Sequence, residues 1–313
     1  MIARAWAAVG NRRATGAATA GKGWRMSDFP LPGKGDAAVA VPAPGVGPGR
    51  WAGAPSAALD DGGFVIAYRM RVVDQRGAAT IIARSTDGEH LTTVATLDKD
   101  RFGAESLERP ALLRTDAGQW RLYVSCATPS SKHWRIDVLE ARDAAALEYA
   151  EPVTVFPGDE QTAVKDPVIR RSDDGWQAWI CCHPLDEPGE EDRMSTAYAT
   201  SEDGLRWDWH GTVLRPRAGE WDARGARVTA VLADGRATYD GRATKEENFF
   251  ERTGIAQSTG KRGHLRAVGN TSVSDVRYLD ILPLTDGGYR LFYEAPLPDG
   301  SHELRTELVP RTC

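Results

Sequence analysis

Ionisable side chains recur in this sequence beside short apolar runs, where folding can gather them. Four carboxylates stand out: Glu108 in Glu108-Arg109-Pro110, Asp166 in Lys165-Asp166-Pro167, Asp240 in Tyr239-Asp240-Gly241-Arg242, and Glu294 in Tyr293-Glu294-Ala295. Two carboxyl groups facing one cavity can divide the work of a general acid and a base or nucleophile. Cations accompany them at Arg69, Arg71, Arg109, Lys165, Arg227, Arg242 and Arg277. Guanidinium forks hold carboxylate or phosphate oxygens, so this set suits an anionic ligand, with pairing to the carboxylates as the alternative use. His183 closes an apolar run and suits proton exchange or ligand binding, a hydrogen-bonded structural role being the other reading. Trp51 offers a ring face for stacking, although most of the 10 Trp should pack inside. The loop 245–252 adds Glu247 and Glu251, acids that can fold over the same cavity. The acidic loop 186–192 reads as rim.

The elements that must position these residues come from an internal repeat. An apolar run, an Asp/Gly turn and a second apolar or aromatic run occur five times, turning at 60–63, 116–118, 173–175, 234–235 and 286–287. Asp and Gly supply the left-handed backbone that tight hairpins need, and intervals of about 50 to 60 residues suit four short strands per propeller blade. Weaker turns at 85–88, 201–204, 258–260 and 299–300 are expected to join outer strands. No stretch holds a helical period. The fold class is therefore all-β, a five-bladed β-propeller. The last repeat offers only three strands, so the apolar segment Ala37 to Val41 is expected to supply the fourth and close the ring. Each inner strand starts at one face and its partner returns there, which places the carboxylates and cations above in one funnel.

Lys165-Asp166-Pro167-Val168, the Asp/Gly hairpins, the turn Ser201-Glu202-Asp203-Gly204-Leu205-Arg206-Trp207 and Tyr239-Asp240-Gly241 resemble the five-bladed propeller glycosidases and phosphorylases of glycoside hydrolase families 43, 32 and 130. The likeness spans residues 50–310. It implies a glycoside hydrolase-like enzyme acting on a small carbohydrate, which the cations above make an anionic one, with Asp166 at the third-blade carboxylate position. Glycoside cleavage pairs two carboxyl groups about 5 to 9.5 Å apart, and Glu108, Asp240 and Glu294 are the candidates for the second. Families 43 and 32 carry an Asp at the start of the first inner strand, where this chain has Ala54-Pro55. The fourth inner strand begins near Arg224-Gly225-Ala226-Arg227, with Glu220 and Asp222 out of register for a general acid. Family 130 uses fewer carboxylates and holds phosphate with cations, which agrees better with an Arg-rich funnel. A phosphorylase and a non-catalytic carbohydrate- or protein-binding propeller are the alternatives.

Composition narrows the partners. The 313 residues are 41% hydrophobic and 27% charged, with 32 Gly and 18 Pro, as suits a folded, turn-rich chain. A net charge of -5 offers no basic footprint for nucleic acid or an anionic membrane, leaving a small-molecule or oligosaccharide substrate. Cys126, Cys181, Cys182 and Cys313 show no metal-ligand spacing, so no metal or cofactor is expected, and the cytoplasm is the simpler setting. Residues 1–35 read as an upstream extension, with a natural start at Met26, and 36–313 as the propeller domain.

Overall fold

The computed structural model describes residues 28–311. The described residues form a five-bladed β-propeller of twenty strands. After a leading strand, β1 (Ala37–Val41), the first blade holds β2 (Trp51–Asp60), β3 (Gly63–Val72), β4 (Gln75–Ser85) and β5 (Thr92–Asp98). The second holds β6 (Leu107–Arg114), β7 (Trp120–Ala127), β8 (Trp134–Ala141) and β9 (Val153–Phe156). The third holds β10 (Thr162–Ser172), β11 (Gly175–Pro184), β12 (Ser195–Ser201) and β13 (Asp208–Leu214). The fourth holds β14 (Arg227–Val231), β15 (Arg236–Gly241), β16 (Arg252–Ser258) and β17 (Leu265–Val268). In the fifth, β18 (Arg277–Pro283), β19 (Tyr289–Pro296) and β20 (His302–Val309) are joined by β1 (Ala37–Val41), which pairs antiparallel with β20 through Ala37 opposite Glu307 and Val39 opposite Arg305. No helix among the described residues is long and apolar enough to cross a membrane.

All five inner hairpins turn where the Asp/Gly pairs stand. Two of the outer turns share one construction: Ser85 and Ser201 accept from the N–H of Gly88 and Gly204, while Asp87 and Asp203 each accept two further backbone N–H groups. The turn at 299–300 differs from the expectation, because it joins β19 to β20, the second and third strands of its blade. The fifth blade takes its outermost strand from the chain's other end, so this turn is one step nearer the axis.

Each blade is apolar on both faces, and buried clusters fill the spaces between neighbours. Val65 and Leu97 meet Leu112 and Leu122 between blades one and two; Ile136 meets Ile180 between two and three; Trp179 meets Val228 and Tyr239 between three and four. Ile255 meets Leu279 and Leu291 between blades four and five, and Ile66 meets Phe292 and Leu304 between five and one. Phe29 and Leu31 are buried in the fourth of these clusters, and Glu307 accepts from the backbone N–H groups of Gly33, Lys34 and Gly35. Packed chain thus begins ahead of the boundary expected at residue 36, a short apolar pair being too little to show in a repeat search. The expected start at Met26 lies outside the described residues.

Strand β1 is half-exposed and owes its place to the β20 ladder. Deleting Ala37–Val41 uncovers that edge and releases the loop from Glu307, so a sharp fall in melting temperature is expected. Unchanged melting would show that blade five stands on three strands.

Candidate functional site

Every inner strand slips register near its start: between Gly53 and Ser56, Glu108 and Ala111, Lys165 and Val168, Val228 and Ala230, and Arg277 and Asp280. A bulge re-aims the side chains beside it. Ala54, Asp166 and Tyr278, one residue into the bulge on three blades, share a φ of 51°. Before the bulge, Glu108, Lys165 and Arg277 stand opposite Ser125, Cys181 and Glu294 on the returning strands.

Of these, Glu108, Lys165, Arg277 and Tyr278 line a funnel of about 320 Å³. Nine cations line it: Arg69, Arg71, Arg76, Lys132, Lys165, Arg227, Arg242, Lys245 and Arg277. The carboxylates that line it are four: Glu108, Glu191, Asp192 and Glu251. Positive charge is therefore in excess.

Of the four sequence-predicted carboxylates, only Glu108 lines the funnel. It accepts from Arg69 Nη1 at 2.8 Å, and although burial opposes its charge, Arg69, Lys165 and Arg71 hold its pKa below the ordinary glutamate value. Asp166 is wholly buried below, accepting from Arg227 Nη1 at 3.1 Å with the Tyr278 hydroxyl 3.5 Å away. Asp240 is sealed beside it, taking Arg227 Nη2 at 2.6 Å and the Tyr278 N–H at 3.0 Å; burial raises its pKa. Glu294 is also wholly buried, bound to Arg69 at 2.5 Å, Arg277 at 2.8 Å and His302 at 2.6 Å. Burial opposes its charge too, yet Arg69 and Arg277 push its pKa far down. Asp166, Asp240 and Glu294 thus form a layer of counter-ions under the floor, away from the funnel lining where the sequence reading placed them.

Arg69, Arg71, Lys165, Arg227, Arg242 and Arg277 reach the funnel as expected; Arg109 does not. It occupies the same bulge position as Asp166, and its side chain crosses the axis, donating to Thr229 O at 2.7 Å and Pro55 O at 3.3 Å, with Asp280 Oδ1 at 3.5 Å. Arg109 and Asp280 border a separate cavity at the other mouth, where burial raises the Asp280 pKa to about 6 against the pull of Arg109. Trp51 lines the funnel, but His302 stacks on its ring at 4.7 Å and the Arg71 guanidinium lies 4.4 Å from its centroid. The ring serves as a seat for Arg71. His183 also lines the funnel; its Nδ1 donates to Glu191 O at 2.7 Å, and burial, with Lys165 and Arg242 nearby, lowers its pKa well below the usual range. That leaves it neutral, with Nε2 3.5 Å from Cys181 Sγ.

With this geometry in hand, solved structures provide the frame. A thermostable family-43 glycoside hydrolase superposes with a TM-score of 0.64 at 12% identity, over 83% of this chain and 90% of that one. The GH43_1 enzyme from Xanthomonas citri, complexed with xylose, gives 0.63 at 16% identity over 90% and 92%. The β-1,2-mannobiose phosphorylase from Listeria innocua, complexed with β-1,2-mannobiose, gives 0.55 at 14% identity over 82% and 89%. The fold is that of the propeller glycosidases. No protein-family model and no curated protein matches the sequence.

A Cβ on Gly53 would collide with the Glu294 carboxylate, which the fifth blade sends into that space, and neighbouring Ala54 is wholly buried. A short side chain in the first blade and a long acid in the fifth are one arrangement. Among the described residues no three His, Cys, Asp or Glu side chains converge as a metal-binding group.

Sequence reasoning missed Arg76, Lys132, Trp134 and the contribution of 189–194 to the lining. All lie on or beside the connections from a second to a third strand, which reach the funnel face in each of the first four blades. The same rule brought in the loop 245–252, whose Glu251 does line the funnel, clamped by Arg242 and by Arg277 Nε at 2.6 Å. Burial opposes its charge, but Arg277, Arg227 and Arg242 hold its pKa at about 2. Tyr278 lines the floor beneath Arg227, whose guanidinium lies 3.9 Å from the ring centroid.

Proposed function

We propose that this protein is a carbohydrate-active enzyme that cleaves the bond at the anomeric carbon of a small anionic saccharide, a glycoside hydrolase-like activity with the funnel as its site. The observation that carries this reading is the charge of the lining, nine cations against four carboxylates, on a propeller of the glycosidase fold. Glu108 is our choice of base or nucleophile, since of the four candidate carboxylates on strands it alone reaches the cavity, and Glu251, which also lines it, is clamped by two arginines. Trp134, partly exposed and with Lys165 Nζ 4.8 Å from its ring centroid, gives a sugar face an apolar surface beside a positive charge.

Thermal-shift and calorimetric titration test the binding half. Hexuronates and hexose phosphates are expected to raise the melting temperature where the same concentration of uncharged hexose does not. Trp134→Ala is expected to weaken their binding by about three- to tenfold, as loss of an aromatic contact of about 1 kcal/mol does. Equal responses to charged and uncharged sugars would remove the anionic reading.

One observation favours a second reading, a non-catalytic sugar-binding propeller: three of the four candidate carboxylates are sealed below the floor. Binding without turnover across a panel of anionic saccharides would establish it. Dependence of turnover on added inorganic phosphate would instead mark a phosphorylase.

A further inference from the structure

Charge compensation divides the funnel in two. Toward blades four and five every guanidinium in the lining has carboxylate partners: Arg227 has Asp166 and Asp240, Arg242 has Glu251 and Asp192, and Arg277 has Glu251 and Glu294. Toward blades one to three Arg69 is compensated too, by Glu108 and Glu294, but the other cations lack close acceptors. Arg71 comes only within 3.7 Å of Glu108, and Lys165 within 3.8 Å of Asp166. Arg76 and Lys132, both exposed at the mouth, have no ion pair among the described residues. Burial lowers the Arg71 pKa, and although Glu108 pulls the other way, Arg69, Arg76 and Arg277 add to the lowering, so positive charge crowds there.

The carboxylates of the lining are the complement of that excess. Glu108 is bound to Arg69, Glu251 to two arginines, Asp192 to Arg224 at 2.6 Å and Arg242 at 3.1 Å, and Glu191 to the Gly189 N–H at 2.9 Å. Each is fixed as an acceptor, and each has its pKa below the ordinary value. No lining carboxyl is set up to protonate a departing oxygen, which an alkoxide leaving group requires. A leaving group that departs as a stable anion has no such need and requires cations in its place.

We propose that the substrate is a glycosyl phosphate, its phosphate seated on Arg71, Arg76, Lys132 and Lys165 and its anomeric carbon beside Glu108. This rests on the reading of the funnel as a site for an anionic saccharide. The singly protonated ester reacts with water. Water oxygen bonds to C1 as one of its protons passes to the Glu108 carboxylate. The C1–O bond breaks with its electron pair going to the phosphate oxygen, leaving hydrogen phosphate held by the cations. Glu108 then gives the proton to that phosphate, and free sugar and dihydrogen phosphate result.

The test incubates the full-length protein with a series of hexose 1-phosphates in oxygen-18 water, following released phosphate and the position of the label. Release with the label in the sugar is expected, which also separates this reaction from phosphatase attack at phosphorus. Lys132→Met combined with Arg76→Met removes two exposed cations without touching the floor, and a rise in KM of about tenfold or more is expected from lost charge-assisted contacts. Label in the phosphate, an unchanged KM in the double variant, or turnover of alkyl uronides in preference to hexose 1-phosphates overturns the proposal and leaves the anionic-saccharide reading standing. Failure of every anionic sugar to bind overturns both.

Discussion

Glu294→Gln is expected to destabilise the protein by about 3–5 kcal/mol, the range for breaking a buried ion pair by removing one partner. Its carboxylate is wholly buried against Arg69, Arg277 and His302, and the glutamine keeps the shape while losing the charge that all three share. Arg69 keeps Glu108 and Arg277 keeps Glu251, so the loss is an excess of buried positive charge without complete exposure of either arginine. Denaturant unfolding measures it directly, and a fall in Tm on the order of 10 °C should accompany it. Because the native pKa of Glu294 is depressed, the stability it contributes is present above the pKa of the unfolded glutamate and is lost as pH falls toward the native value. The wild-type and variant stability curves should therefore converge in acid. A variant that melts as wild type but loses turnover would return Glu294 to the catalytic set.

Glu108→Gln is expected to do the reverse. The side chain borders the funnel, and Arg69 retains Glu294 when it is neutralised, so the fold should persist while kcat falls by about a hundredfold or more, the usual scale for a general base. The pH profile adds a second readout. Glu108 must be ionised to act, and Arg69, Lys165 and Arg71 together outweigh the effect of burial on it. Glu108 should thus give an acid limb at a pH below that expected for an ordinary glutamate, with no alkaline limb from a carboxylic acid. Undiminished turnover in a well-folded Glu108→Gln variant would remove this carboxylate from the reaction.

The blades were legible because the physics that makes them is local. An Asp/Gly pair between strand-forming runs specifies a hairpin within a dozen residues, and five of them at regular spacing specify a ring. The funnel face was legible for the same reason: Lys165 and Arg277 stand at the starts of inner strands and Arg69 toward the end of a returning one, positions that the hairpins assign to one face. Depth along the axis was not. Arg109 and Asp166 occupy equivalent places in Arg109-Pro110 and Asp166-Pro167, yet one side chain crosses to the other mouth and the other stays under the floor. That choice depends on acceptors supplied by blades far away in sequence, Thr229 O for Arg109 and the Arg227 guanidinium for Asp166. The match of Gly53 with Glu294 is equally remote, and neither residue announces the other. Trp134 and Lys132 belong to a connection with no motif, where only the finished ring shows which face a loop reaches.

Arg109 also governs traffic. The two axial cavities share no lining residue, and the guanidinium between them is tied to inner strands on three other blades. A propeller can in principle be a tube, but this one is a cul-de-sac. Whatever enters the funnel must back out through the same opening, and the fragment nearer the mouth must leave first. With Arg76 and Lys132 at the entrance and Glu108 deeper, the charged fragment of the proposed substrate is expected to depart ahead of the sugar. The sugar left inside then competes with the next substrate molecule for the same space, so the free sugar should be the competitive product inhibitor of this protein.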